Sequence, residues 1–322
     1  MPIIAMNDFT QGVHDGTNPV REMGVATAPG QLFGQWTSPV YSSTGPFDWL
    51  VASWNGSGER LEVKVRAATP EGWSPWFSFG PWSLAGQRHS IPDQAVPGIG
   101  KLDTDTLLLE RPARAWQVRV ALQDGRLKRL FVAAAMAAYR SADAPYRAAW
   151  GKELAVPPRS QMVYPNGGSV WCSPTSVAMV MSFWGKHESI PDKVAPGVYD
   201  SIYDGTGNWP FNTAFAATRG FVAYVDRFPG FVDLERKIAA GIPVVAAVAY
   251  DRAWLENAVY PHTNGHLLVV TGFTAEGDVI VNDPAAGTDE GVRTVYKREQ
   301  FKRAWLDRGG VVYVIHPQDT GR

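Results

Sequence analysis

Residues 167–185 read GGSVWCSPTSVAMVMSFWG, and this stretch sets the fold class of the second half of the chain. Pro174 suits the first turn of a helix, where its missing N–H costs nothing; the apolar run to Trp184 supplies the body, and Gly185 suits the stop. Working outward, residues 220–226 read as strand, 232–240 as helix and 242–249 as a buried strand. Residues 267–273 and 279–282 form a hairpin around Ala275-Glu276-Gly277-Asp278, and 311–315 a last strand. A helix followed mainly by antiparallel strands predicts an α+β domain.

Upstream the pattern changes. DWLVASWN, RLEVKVRAAT, TLLLERP, RAWQVRVALQ and LKRLFVAAAMAAY are alternating runs broken by Gly, Pro, Ser and Asn. In LEVKVRA the apolar Leu61, Val63, Val65 and Ala67 alternate with charged residues, as a half-buried strand requires. Asp124-Gly125 predicts a hairpin turn between the last two runs. Strands at this spacing predict an all-β sandwich, jelly-roll-like. The mixed Ala, Pro and charge of residues 140–159 reads as a connector, giving domains 1–150 and 151–322. The cluster Trp73, Trp76, Phe77, Phe79 and Trp82 fits a sandwich core or interface, and also leaves a glycan contact open.

With 30 basic and 31 acidic residues the chain has no field of the kind that binds phosphate without regard to sequence, so nucleic acid is not an expected partner. No apolar stretch approaches the ~20 residues that a membrane span needs. The start, MPIIAMNDFTQGVHDG, carries no secretory signal, which predicts a cytoplasmic protein or a secreted one already trimmed. A single cysteine, Cys172, excludes an internal disulfide and every cysteine-cluster zinc site. No metal or cofactor is expected.

Cys172 falls at the positive end of the predicted helix, where unpaired N–H groups favour a thiolate, the nucleophile of acyl transfer. A lone cysteine is also a common small core residue, so a base is required to decide between the two. His266, in Thr263-Asn264-Gly265-His266 at the mouth of an apolar strand, is the best placed of the histidines; His262 and His266 make only a weak metal pair. Asp283 ends the following strand and could orient the imidazole. A hairpin centred on Glu276-Gly277 leaves it about four residues short of facing His266, so twist, a bulge or a longer loop must close the gap, with Asn282 as the fallback.

These residues resemble the papain-like cysteine peptidases that process bacteriocin leaders after a double glycine, and their stand-alone relatives, peptidase family thirty-nine. The matching pieces are Ser160-Gln161, Asn166-Gly167-Gly168, Trp171 to Ser176, Gly207 to Ala214, Ala240 to Val244, Asn264-Gly265-His266 and Asn282-Asp283-Pro284. Gln35 to Val40 and Trp73 to Trp76 resemble the module preceding this domain in stand-alone members.

The resemblance implies Cys172 as nucleophile, His266 as general base and acid, Asp283 as orienter and Gln161 as oxyanion donor. Asn208, Trp209 and Asn212 are implied to line the cleft. The family's glycine after the nucleophile is Ser173 here, which would matter if the position needed positive φ. Without a membrane span or a Walker sequence the chain is not an exporter's peptidase arm, so double-glycine specificity does not transfer. The expected function is cleavage of a peptide or related amide bond in a peptide or protein substrate. The alternatives are a transpeptidase or amidase using the same triad, and a lapsed peptidase that binds peptide or glycan.

Overall fold

The computed structural model describes residues 3–20 and 24–318. The chain divides into two compact units: Met1–Ala137 with Gly197–Thr218, and Ala138–Pro196 with Arg219–Arg322.

Thirteen strands among the described residues form the sheet of the first unit. Its frame is β1 (Phe33–Thr37), β2 (Tyr41–Ser57), β3 (Arg60–Thr69), β4 (Thr106–Gln123) and β5 (Arg126–Ala135). The predicted alternation of β3 holds: Leu61, Val63, Val65 and Ala67 are all fully buried. They pair in register with β4, Leu61 facing Leu122, Val63 facing Val120 and Val65 facing Val118, so each rung puts two apolar side chains into one core. TLLLERP and RAWQVRVALQ are one continuous strand, and the ladder to β2 shifts register between Leu108 and Ala113, around Pro112, which has no N–H to give.

The hairpin expected at Asp124-Gly125 does not form. Asp124 takes the left-handed φ of 40° that a sharp turn needs, yet β4 pairs with β1, β2 and β3, while β5 pairs with β2 on its other side. Turn chemistry reverses the chain; the buried apolar face selects the partner.

The first unit also contains a helix. It is α2 (Trp209–Thr218), where α1 is Cys172–Phe183 and the single turn Ala195–Val198 is left unlabelled. Phe211 and Ala214 enter the same core as the strands, with the Phe211 ring edge-on to Trp54 at 6.2 Å. Of the aromatic cluster, Phe77, Phe79 and Trp82 are core, whereas Trp73 is 39% exposed. The Arg66 guanidinium lies over Trp73 and Trp76 at 4.5 and 4.8 Å, and Arg119 lies over Trp76 at 4.3 Å.

The second unit is built on a six-stranded antiparallel sheet. Its strands are β6 (Phe221–Arg227), β7 (Val244–Asp251), β8 (His262–Phe273), β9 (Val279–Asn282), β10 (Arg293–Tyr296) and β11 (Val311–Pro317), in the order β6-β11-β7-β8-β9-β10. The predicted hairpin joins β8 and β9. Helix α1 is buried on almost every side, and two serines tie it down: Ser173 Oγ lies 3.1 Å from the Tyr313 hydroxyl on β11, and Ser176 Oγ donates to Leu267 O on β8 at 3.2 Å. Helices α3 (Phe231–Ala239) and α4 (Arg298–Leu306) complete the unit. No described helix is long and apolar enough to cross a membrane.

Candidate active site

Cys172 is the first residue of α1, and its side chain is partly exposed. The first bond of the helix runs from Thr175 N to Trp171 O at 3.0 Å, and no side chain caps this end. The N–H groups of Cys172 and Ser173 therefore have no intrahelical acceptor, which favours negative charge beside them. Pro174, third in the helix, has no N–H to leave unpaired. Ser173 lies inside the helix and is absent from the positive-φ residues, so the serine in place of glycine puts no strain on the backbone there.

Two glycines shape the approach. Gly167 has φ of +131°, and a Cβ there would stand 2.7 Å from the Trp171 ring. A Cβ on Gly168 would stand 2.1 Å from Gln161 O, so only glycine lets these two backbones pass. Gln161 is fully buried; its Nε2 donates to Gly168 O at 2.5 Å and lies 3.4 Å from the Tyr260 hydroxyl, while its N–H donates to Pro284 O at 2.8 Å. Ser160 Oγ donates to Ala286 O at 2.5 Å. Gln161 and Asp283 are thus held by one turn, residues 283–286.

His266 sits on β8, 2% exposed, its Nε2 2.7 Å from Asp283 Oδ1. That leaves Nδ1 for the Cys172 side chain, which hydrogen-bonds the ring. The gap expected between His266 and Asp283 closes in two ways. A register shift between Val270 and Gly272 sets Asn282 opposite Val269, which brings Asp283, the next residue, nearer to His266 than an unshifted hairpin would. The two side chains then span the remaining diagonal. Asn282, pointing to the other face, donates to Val156 O at 3.0 Å and does not meet the ring.

Asp283 is fully buried and met on every side: Oδ1 also accepts from Ala285 N at 3.0 Å, and Oδ2 accepts from the Tyr296 hydroxyl at 2.9 Å. Burial is the largest influence on both partners, raising Asp283 and lowering His266, but it is outweighed. The His266 charge and hydrogen bond, with the Ala285 and Tyr296 donors, hold Asp283 below the usual carboxylate range. The Asp283 charge and hydrogen bond, with the Cys172 side chain, push His266 up to about 10. The arrangement favours the imidazolium, so the ring can hold a proton taken from the neighbouring thiol.

Within the second unit the structure brings together Cys172, His266, Asp283 and Gln161. Asn208, Trp209 and Asn212 belong to the first. Asn208 and Asn212 are fully buried there: Asn208 Nδ2 donates to Asp200 Oδ2, and Asn212 Nδ2 donates to the Thr206 and Asn208 carbonyls. Trp209 N donates to Asp105 Oδ2 at 2.7 Å. Tyr296 and Tyr260 were not legible as site residues. Tyr296 shares a face with Asp283 only through the β9–β10 pairing, which the sequence pattern did not announce. Among the described residues no three His, Cys, Asp or Glu side chains converge to hold a metal ion.

Comparison with known proteins supplies a second line. The Peptidase C39-like family matches residues 153–313, and the Peptidase C39 N-terminal domain matches residues 5–138. The resemblance read from the motifs is borne out by both. A solved structure, a candidate C39-like peptidase from Bacillus anthracis, is 17% identical and covers 52% of this chain and 98% of its own, with a TM-score of 0.37. No curated protein matches the chain.

Proposed function

From the premise that this chain belongs to the Peptidase C39-like family, we propose that it is a papain-like cysteine peptidase hydrolysing a peptide or related amide bond. The observation that carries the reading is the fully buried His266–Asp283 pair, 2.7 Å between Nε2 and Oδ1, with its other face on the only cysteine at the start of a helix. A structural cysteine has no use for such a partner.

The chemistry follows from these atoms. Cys172 gives up its proton to His266, and the thiolate attacks the substrate carbonyl carbon; the C=O electron pair moves to oxygen. The Cys172 N–H and the Gln161 amide N–H stabilise that oxyanion. Collapse breaks the C–N bond as His266 hands its proton to the leaving amine, giving a thioacyl-enzyme. Water, deprotonated by the same ring, releases the acid. Asp283 holds the tautomer and the imidazolium throughout.

Iodoacetamide labelling of the native protein between pH 4 and 9, compared with His266→Ala, tests this directly, since only one thiol can report. Fast labelling below pH 7 that reverts to ordinary thiol behaviour without His266 is the expected result, followed by cleavage in a peptide library. A thiol that labels only after unfolding, indifferent to His266, would remove the peptidase reading and leave a binding protein. Exchange of the acyl group onto an added amine, with no acid formed, would turn it into the transpeptidase.

A further inference from the structure

We infer that Tyr260 is a third oxyanion donor, its phenolic O–H pointing with the Gln161 amide at the oxygen of the tetrahedral intermediate. The inference rests on the peptidase reading and adds a residue to it.

Tyr260 lies in the loop between β7 and β8, two residues before β8 begins, and it is half-buried. Its ring stands edge-on to the His266 imidazole, with centroids 5.3 Å apart and planes at 85°. That contact fixes where the hydroxyl goes. The oxygen accepts from Gln161 Nε2 at 3.4 Å, a bond longer and weaker than a well-made N–H···O bond. Among the described residues no acceptor takes its hydrogen.

A phenolic oxygen that accepts this long bond still has its own hydrogen to give, and an anion placed beside the pair could take both that O–H and the Gln161 N–H more strongly than the phenol oxygen takes the latter. Cys172 and Asp283 both lie close enough to bear on the same hydroxyl. Burial first, then these two neighbours, push the phenol up to about 12, so it remains a donor across the working range. No proton leaves Tyr260 in the step: as the Cys172 C–S bond forms and the C=O electrons move to oxygen, the phenol only shortens its hydrogen bond to the growing charge.

The experiment contrasts two reactions of one thiol. Acylation by p-nitrophenyl acetate passes through an oxyanion, whereas alkylation by iodoacetamide is a displacement at carbon that forms none. Rates are read as the p-nitrophenolate burst and as Cys172 labelling, with Cys172→Ala as the blank. Tyr260→Phe keeps the ring and its contact with His266. It should slow acylation by about 10²-fold, as loss of one oxyanion donor does, and leave alkylation within twofold. Gln161→Ala should give the same selective loss.

Equal slowing of both reactions would make Tyr260 a positioning residue for His266 and overturn the proposal. Faster alkylation with unchanged acylation would mean that the phenol quenches the thiolate, and would overturn it too. If the wild-type native thiol reacts with neither reagent, the peptidase reading itself falls; if it reacts with both and Tyr260→Phe changes nothing, only the donor role is lost.

Discussion

Asp283 and Glu235 are both fully buried carboxylates of the second unit, and each is met by three donors. Glu235, on α3, accepts from Tyr146 N at 2.7 Å and Trp150 Nε1 at 2.8 Å, and pairs with Arg298 at 2.8 Å. Arg298 also lies over Phe231, 4.1 Å from its centroid. The two carboxylates are equally buried and comparably satisfied, yet one belongs to a candidate active site and the other is a fastening. What separates them is the partner's proton. Arginine never gives its proton up in a protein, so Glu235 binds residues 146–150 to the unit and can do nothing else. Histidine can, and the His266 ring faces a thiol.

The contrast can be broken by substitution, the largest effect first. Asp283→Asn should reduce p-nitrophenyl acetate acylation by on the order of 10²–10⁴-fold, the range set by general acid–base help. It should also move the alkaline limb of turnover down from about 10 towards the ordinary 6.5, because the negative charge that raises His266 is gone. Glu235→Ala should cost about 3–5 kcal/mol of stability in urea melts, because it takes the carboxylate from the largely buried Arg298 and the acceptor from Tyr146 N and Trp150 Nε1, with the acylation rate of the folded fraction unchanged. Loss of acylation in that folded fraction would erase the distinction between the two carboxylates.

Stability against pH should sharpen it. His266 is raised in the folded state, so its contribution is complete below about pH 6.5 and lost as pH rises through about 10. Asp283 is depressed, so its contribution is present above about pH 3.8 and lost as pH falls through the lower folded value. The pair therefore stabilises most between roughly pH 4 and 6.5, and the difference between wild type and Asp283→Asn in urea melts should be widest in that window. The smallest effect is at the surface. Arg293 and Glu153 form a two-pronged pair at 2.7 and 3.0 Å with half-exposed side chains, and Arg293→Ala should change stability by no more than about 1 kcal/mol.

The candidate site residues were legible because they sit at element ends, where Pro, Gly and the change of periodicity mark them. Cys172 at a helix start, His266 on a strand and Asp283 just past the next strand were all legible. Their meeting was implied by the resemblance and not by local pattern, since it depends on a bulge at Val270/Gly272 whose place no local signal announces. Helix α2 escaped for a different reason. Its residues 210–216 are all buried, so it shows no polar face and hence no helical period. Tyr260 is a loop residue whose significance arises only from packing against His266. The failed hairpin at Asp124-Gly125 belongs here too: a dipeptide specifies a bend, and the choice of neighbouring strand is made elsewhere.

The return of the chain to the first unit at Gly197–Thr218 bears on how the protein is made. A ribosome delivers all of the β-strands of that unit by Ala137, but Phe211 and Ala214 of its core come only when synthesis has passed them. At ~5–20 residues per second the interval from 137 to 218 is roughly 4–16 s, long compared with the folding of most single domains. For that time the nascent sheet carries an open socket over Trp54. Completion of the first unit is therefore coupled to translation of the stretch containing Cys172, and a cut at the end of the strands would release a fragment still missing part of its core.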